Sequence, residues 1–396
     1  MRFSSRANLL PGSRIRHVLA QVTELRRRGA DVYEFHIGQP GLPPSKEMLK
    51  DFCKLLLEKS FEVSSYTPVS GIEELRVAIS EDYTYYSGIK INVENILVTT
   101  GSSEAIIGTL LCLLDLNDEV VMLNPEYLLY KPIVQYLGAK VREIRVTVDN
   151  EFNPREEELK EAVSRKTKVM ILVNPDNPTG AVLREEIIKL AVDLARDYNF
   201  YIIYDEAYKH LYYEGNHTYA VKYDLEHVIA LNTFSKDPAL PGWRLGYIVA
   251  HDEFVKFFQR VKQYVNINAP TPAQYLALLY LRKYKRKYLE ETLPIYRERR
   301  DAIYNALVKY LPEVKVIKPK AGLFIFPNFE NYLKKLNMSD DEFAVGLLRE
   351  KNVAVVPGSA FGDGGKYHVR LSFAKENPNR IDEGIERIAK YLVSKL

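Results

Sequence analysis

The sequence predicts an α/β fold: a large domain with a mainly parallel sheet covered by helices, and a smaller α+β domain built from both chain ends. Three observations predict it. Near-continuous apolar runs alternate with helical or loop segments from about residue 95 to 251, the pattern of strands buried on both faces. Four of those runs end in clusters of polar residues. The chain of 396 residues is too long for one small core and suits a large domain with a lesser one.

Taken in order, Ile15, Val18, Leu19, Val22 and Leu25 recur at helical spacing and Gly29 follows as a stop, so residues 13–28 read as an amphipathic helix. "VYEFHIGQPGLPP" is a short strand entering a rigid Pro/Gly loop. The strands of the sheet are "NILVTTG", "EVVMLNP", "KVMILVNP", "FYIIYDEAY", "HVIALNTFSK" and "LGYIVAH". The clearest intervening helix is 183–198, with Leu183, Ile187, Leu190 and Leu194 on one face. Residues 276–310 read as a long charged helix, and 315–396 mix short strands with a final helix. The expected division is 46–280 for the large domain, with 1–45 and 281–396 forming the small one.

Composition excludes several classes of function. A net charge of +3 gives no global attraction to nucleic acid or an anionic membrane. Cys53 and Cys112 both lie in apolar patterns and read as two buried core thiols, with no disulfide scaffold and no Cys-based metal site. "MRFSSRANLLPGSR" lacks the apolar core of a signal peptide. The longest apolar run, "AIIGTLLCLL", is about half of a bilayer span. A cytoplasmic protein without metal is expected. "GDGGKYH" misses the phosphate-loop pattern, because Ala360 stands at the first glycine position and Tyr367 where Ser or Thr follows the lysine. The basic "LRKYKRKYLEE" reads as a solvated helix face rather than a nucleic-acid site, since Glu290 and Glu291 follow at once.

In open parallel sheets the ligand site lies beyond the carboxyl ends of the strands, so the polar clusters should converge there. "VTTGSSEAIIGTLL" sets Gly101, Ser102 and Ser103 between a strand and an apolar helix, where free N–H groups and the helix dipole can cradle a phosphate. Alone, the serine is an ordinary cap. Ser235 and Arg244 change that reading, because a hydroxyl and a guanidinium complete a dianion site. "YDEAY" ends an apolar strand with Asp205, a carboxylate costly to bury without a partner. Asp205 and Tyr208 can both aim into the crevice, or serve as a cap and a packed ring; alone, the two readings are even. Glu206 reads as solvent-facing or structural. In "NPDNPTG" two prolines and a glycine hold Asn177 in one orientation. Lys236, carried from a buried strand into the loop "KDPALPGWR", is the sharpest residue, since desolvation lowers an amine's pKa towards nucleophilicity. Cradle, acid, tyrosine, asparagine and desolvated lysine together match what pyridoxal 5′-phosphate requires. The lysine holds the aldehyde as a Schiff base, and the acid keeps the pyridine nitrogen protonated.

The sequence resembles the class I/II aminotransferases of the aspartate aminotransferase superfamily, pyridoxal-phosphate fold type I. "NPDNPTG", "DEAY", "SK" followed by "GWRLGY", and "RLSFA" stand in that family's order, and the likeness covers nearly the whole chain. The resemblance implies Asn177 and Tyr208 at the cofactor's phenolic oxygen and Asp205 at its ring nitrogen. It implies Ser102, Ser103, Ser235 and Arg244 around the phosphate beside Gly101, and Tyr127 on the ring face. Arg370 would bind the substrate α-carboxylate, with Gly38 beside the substrate. Tyr66 would reach the phosphate of the neighbouring subunit, which implies a homodimer with shared active sites.

The expected activity is ping-pong transfer of an amino group between an L-amino acid and a 2-oxo acid, with 2-oxoglutarate as acceptor and Lys236 as nucleophile and base. Relatives that use aspartate can carry a lysine two residues after the cradle glycine; here that position is Ser103, followed by Glu104. A neutral or aromatic donor is therefore favoured over aspartate, unless a cation such as Arg14 or Arg16 takes the lysine's place. The asparagines of "NINAPTPAQ" receive no role. The alternatives are β-elimination or decarboxylation with the same cofactor, or the ligand-sensing module of a regulator. The last needs a DNA-binding unit for which the first 45 residues leave no room.

Overall fold

The computed structural model describes residues 4–10, 12 and 14–396, with the side chains of 14–17, and so those of Arg14, Ile15 and Arg16, outside the described residues. The helices named below are α1 (Arg14–Arg27), α2 (Lys46–Glu58), α3 (Glu73–Ser87), α4 (Gly101–Leu113), α5 (Glu185–Tyr198), α6 (Asp252–Val265), α7 (Thr271–Leu279) and α8 (Lys285–Tyr310). Seven strands form the main sheet: β1 (Ile96–Thr99), β2 (Glu119–Asn124), β3 (Lys140–Arg145), β4 (Thr167–Val173), β5 (Tyr201–Asp205), β6 (Val228–Thr233) and β7 (Gly246–Val249). Their order is β1–β7–β6–β5–β4–β2–β3, and all pairs are parallel except those made by β7.

The six expected strands are present. The seventh, β3, has the sequence KVREIR, whose charged residues conceal the strand in an apolar-run reading. It is the sheet edge, with only Ile144 buried, and charges on an edge strand discourage pairing with other chains. Apolar clusters cover both faces of the sheet. One gathers Leu75, Ile79, Ile187, Val192 and Leu276, the other Ile106, Leu110, Val255 and Phe258. Helix α5 begins two residues later than the reading 183–198, and its apolar residues Ile187 and Leu194 face the core as expected.

A second core packs the C-terminal part of α8 and the last helix against a three-stranded antiparallel sheet. Its strands are β8 (Phe324–Ile325), β9 (Val356–Pro357) and β10 (Val369–Ser372), in the order β9–β10–β8. The segment Tyr33–Glu34 pairs in parallel with Val353–Ala354, so both ends of the chain meet here.

Three expectations need correction. The helix read as 276–310 begins at Thr271 as α7 and continues into α8 through one π-helical turn, Tyr280–Tyr284. The basic stretch on it is not simply solvated: Arg282 pairs with Glu81, Lys283 with Asp51, Lys285 with Asp82 and Lys287 with Glu47. Carboxylates of α2 and α3 therefore neutralise it, and Lys285 is buried in the process. The cysteines are free, but Cys53 is exposed and Cys112 only partly covered, because each falls just off the buried stripe of its helix.

Helix α4 lies against α6 through Gly108, where an added Cβ would fall 2.1 Å from the Phe258 ring. That ring is wholly buried and has nowhere to move. Gly108→Ala is expected to lower the midpoint of urea unfolding, since overpacking of about 1–3 kcal/mol outweighs the roughly 1 kcal/mol that alanine gains in a helix.

Candidate active site

Strand direction brings the candidate residues to one edge. Strands β4, β5 and β6 are parallel neighbours, so Asp205, the last residue of β5, stands beside Asn177 and Lys236, which follow the carboxyl ends of β4 and β6. Strand β7 runs the other way and starts at that edge, with Gly246 between Thr99 of β1 and Thr233 of β6. The antiparallel strand thus delivers Arg244, just before it, to the start of α4. A Cβ on Gly101, whose φ is +73°, would lie 2.6 Å from Arg244 Nη2, and one on Gly246 would lie 2.9 Å from the Ser102 nitrogen. The two glycines let the Arg244 guanidinium and the start of β7 approach the first turn of α4 closely, so that backbone N–H groups and a guanidinium stand together, the chemistry of an anion cradle. Arg244 is exposed, and its Nη1 donates to the Pro241 carbonyl at 3.0 Å. Ser102 and Ser103 are half-buried on the first turn of α4. Buried Ser235 accepts a bond from Thr233 Oγ1 at 2.9 Å.

Asp205 is buried and held from two sides. Tyr130 Oη donates to its Oδ2 at 2.6 Å, and the Ala207 N–H donates to Oδ1 at 3.0 Å. Burial raises the pKa of its carboxyl, while these two bonds and the charge of Lys236 oppose the rise. Lys236 Nζ donates to the Gly38 carbonyl at 2.8 Å and lies 5.3 Å from the centre of the Tyr208 ring. Desolvation, with a smaller contribution from the nearby Arg370 and Arg244, brings its pKa down to about 8, against the pull of Asp205. Buried Tyr208 packs edge-on against Phe324, and burial raises its phenol pKa.

Arg370 enters from β10 and is 1 % exposed. Its Nη1 donates to Asn177 Oδ1 and its Nη2 to the His36 carbonyl, each at 3.0 Å. The guanidinium lies over the rings of Phe324 (4.4 Å) and Phe361 (5.1 Å), and its Nε has no partner. Burial lowers its pKa to about 10. A Cβ on Gly38 would fall 3.6 Å from Nη2, so the bare glycine keeps the approach to Arg370 open. Tyr127 is half-buried, edge-on to Tyr130 at 6.0 Å.

Of the residues singled out in the sequence, Gly38, Asn177, Asp205, Tyr208, Lys236 and Arg370 form one linked group, and Gly101, Ser102, Ser103, Ser235 and Arg244 the adjoining cradle. Tyr66 stands apart, with 83 % of its surface exposed. Glu206 is not solvent-facing; of its two readings the structural one holds. It is 1 % exposed and accepts from Tyr83 Oη at 2.8 Å and Asn232 Nδ2 at 3.2 Å, beside His217 Nε2 at 3.2 Å. The sequence reading missed Tyr130, His36, Phe324 and Phe361. For Tyr130 a signal existed: it stands three residues beyond Tyr127 in "NPEYLLY", and a turn closed by its N–H on the Tyr127 carbonyl at 3.1 Å brings the two together.

The donor set fits a phosphorylated pyridine aldehyde: an amine of lowered pKa, a buried carboxylate able to accept from an N–H partner, and a helix start where any Cβ at Gly101 would push the Arg244 guanidinium away. Tyr130→Phe removes the shortest bond to Asp205. The expected outcome is a stability loss of about 1–3 kcal/mol and an acidic limb of the activity profile displaced to higher pH. The sign follows because that bond favours the ionised carboxylate. Urea unfolding and kcat/KM against pH check the two parts.

The family model "Aminotransferase class I and II" matches residues 30–388. An aspartate aminotransferase of Pyrococcus horikoshii is 35 % identical over 98 % of this chain and 97 % of its own length. An aromatic-amino-acid aminotransferase of Thermococcus litoralis is 33 % identical over 100 % of this chain and 99 % of its own. The solved structure of Thermus thermophilus aspartate aminotransferase with maleate superposes with a TM-score of 0.92 at 30 % identity, covering 99 % of this chain and 100 % of that one.

Proposed function

From the chain's membership of the class I and II aminotransferases, we propose that it transfers an amino group between a neutral or aromatic L-amino acid and 2-oxoglutarate. In this reading it is a cytoplasmic homodimer, divided near residues 46 and 280 and carrying pyridoxal 5′-phosphate. Lys236 carries the reading: a desolvated amine with a pKa near 8, between the Gly38 carbonyl and the Tyr208 ring. When bound, the cofactor supplies an aldehyde that accepts amines and a protonated ring that draws electrons from the substrate Cα.

The protein's own groups do the rest. The Lys236 amine takes the Cα proton and gives it back, and a pKa close to working pH suits both directions. Asp205, kept in place by Tyr130 and Ala207, would face the ring N–H, and both bonds favour its ionised form against the effect of burial. Asn177 and Tyr208 would offer hydrogen bonds to the phenolic oxygen, and Tyr127 would cover the ring. Ser102, Ser103, Ser235 and Arg244 would hold the phosphate. Arg370 offers its guanidinium to the substrate α-carboxylate, already oriented by Asn177 and the His36 carbonyl and stripped of water by two aromatic rings.

Two observations bear on the finer points. Among the described residues no cation stands at position 103, and the nearby Lys262 is engaged by Glu104 at 2.6 Å, which supports a donor without a distal carboxylate. Aspartate is the competing donor, favoured by the name of the Pyrococcus relative. Exposed apolar residues support the dimer: Leu57, Phe61, Tyr66, Tyr264 and Ile267 are left uncovered, and a subunit contact would bury such surface. The segment of Tyr66 is tied to α7 by Thr271 Oγ1, which donates to the Ser65 carbonyl at 2.8 Å.

A panel of amino donors with 2-oxoglutarate tests the function. Glutamate should form, fastest with neutral or aromatic donors, and its absence with every donor overturns the reading. Lys236→Ala should abolish turnover and borohydride-trapped adduct. In the unmutated protein the trapping rate should rise with pH and level off above about 8, as the amine loses its proton. Arg370→Ala should raise KM for all donors by about 10- to 150-fold, the worth of a charge-assisted pair of roughly 1.5–3 kcal/mol.

A further inference from the structure

Beside the anion cradle lies a buried ion pair that the proposed chemistry does not use. Lys262, at the C-terminal end of α6, is 0 % exposed, and its Nζ lies 2.6 Å from Glu104 Oε1. Glu104 is in the first turn of α4, immediately after Ser102 and Ser103. Its other oxygen accepts from the Thr100 N–H and, at 2.8 Å, from Asn266 Nδ2. Asn266 closes the ring: its amide nitrogen also reaches Thr100 Oγ1 at 2.8 Å, and its Oδ1 accepts from Lys262 at 2.9 Å. Each member of this ring has a partner within it, and the lysine side chain is wholly buried.

A carboxylate in the first turn stabilises a helix, because it faces the positive end of the dipole. At this helix it carries a penalty, since the same positive end is where an anion would bind. Alone, Glu104 would occupy that field and repel a second anion. We infer that Lys262 is a positioning residue for the cradle: its ammonium cancels the Glu104 charge, so that the start of α4 and Arg244 can take a phosphate dianion. The ring also ties the end of α6 to Thr100, the residue before the cradle glycine, and so fixes the turn from which the cradle N–H groups project. This rests on the preceding reading, in which the cradle holds a phosphate.

The sign of the charge, rather than loss of the pair, is what an experiment must read. Lys262→Met and Glu104→Gln break the same ion pair, and both should lower the Tm. Their effects on anion binding should be opposite. The Kd of pyridoxal 5′-phosphate, and of inorganic phosphate competing with it, is measurable from the fluorescence of Trp243, the sole tryptophan and the neighbour of Arg244. Lys262→Met should weaken both by about tenfold, the scale of one partly screened charge within a Debye length. Glu104→Gln should bind both more tightly than the unmutated protein despite its lower Tm, and the double variant should return close to it. If Lys262→Met fails to fold, Glu104→Gln decides the sign alone. Weaker binding by Glu104→Gln, or an unchanged Kd, overturns the inference and leaves the pair a structural one. An unmutated protein that pyridoxal 5′-phosphate does not saturate overturns the preceding reading, and this inference with it.

Discussion

A carboxylate, an amine and two guanidinium groups gather at one edge of a buried sheet, and the rest of the structure answers that electrostatic problem. Charges taken from water must be repaid by partners or be neutralised. Asp205 has the Tyr130 hydroxyl and a backbone N–H, Lys236 the Gly38 carbonyl, and Arg370 the Asn177 amide and the His36 carbonyl. None of these partners is a full opposing charge. Each group is therefore fixed in place while keeping its affinity for a ligand, which is what a binding site needs and a salt bridge would destroy.

The residue after Asp205 is treated differently, with a buried lysine close by. Glu206 is adjacent to Asp205 in the chain but points into the core, where Tyr83, Asn232, His217 and Lys209 surround it. Burial works to raise its pKa, yet the His217 bond and the Lys209 charge bring it below the ordinary value. Two consecutive acids thus have opposite fates on alternate sides of the strand end: one is kept available, the other is spent on structure. The same division separates Arg244, which faces the cradle, from Lys262, which is consumed by Glu104.

The high tyrosine content finds a physical account in this arrangement. Tyr83 and Tyr130 carry hydroxyls to buried carboxylates, Tyr247 accepts from Lys209, and Tyr204 donates to the Thr218 carbonyl. A tyrosine fills core volume as phenylalanine does and still satisfies a polar group deep inside. Composition records 28 tyrosines without saying which of them meet a charge, because those contacts join residues far apart in the chain: Tyr83 and Glu206 are 123 positions apart.

By itself the sequence determined the six apolar strands, the polar clusters that close them and the family to which their order belongs. These are local facts: a run of apolar residues must be buried, and a proline, glycine or charge at its end must leave the sheet. The edge strand β3 escaped because its buried signal is one residue deep, and Tyr130, His36 and Phe324 escaped because nothing beside them in the chain marks their partners. The tertiary structure decided that β7 runs antiparallel and so brings Arg244 to Gly101, and that Arg370 crosses from the second core to Asn177. It also decided that Glu206 and Lys262 are buried pairs rather than surface charges. The reason is common to all of them: a charged side chain's role depends on what lies across from it after folding, and that is set by strand order and direction, not by its neighbours in sequence.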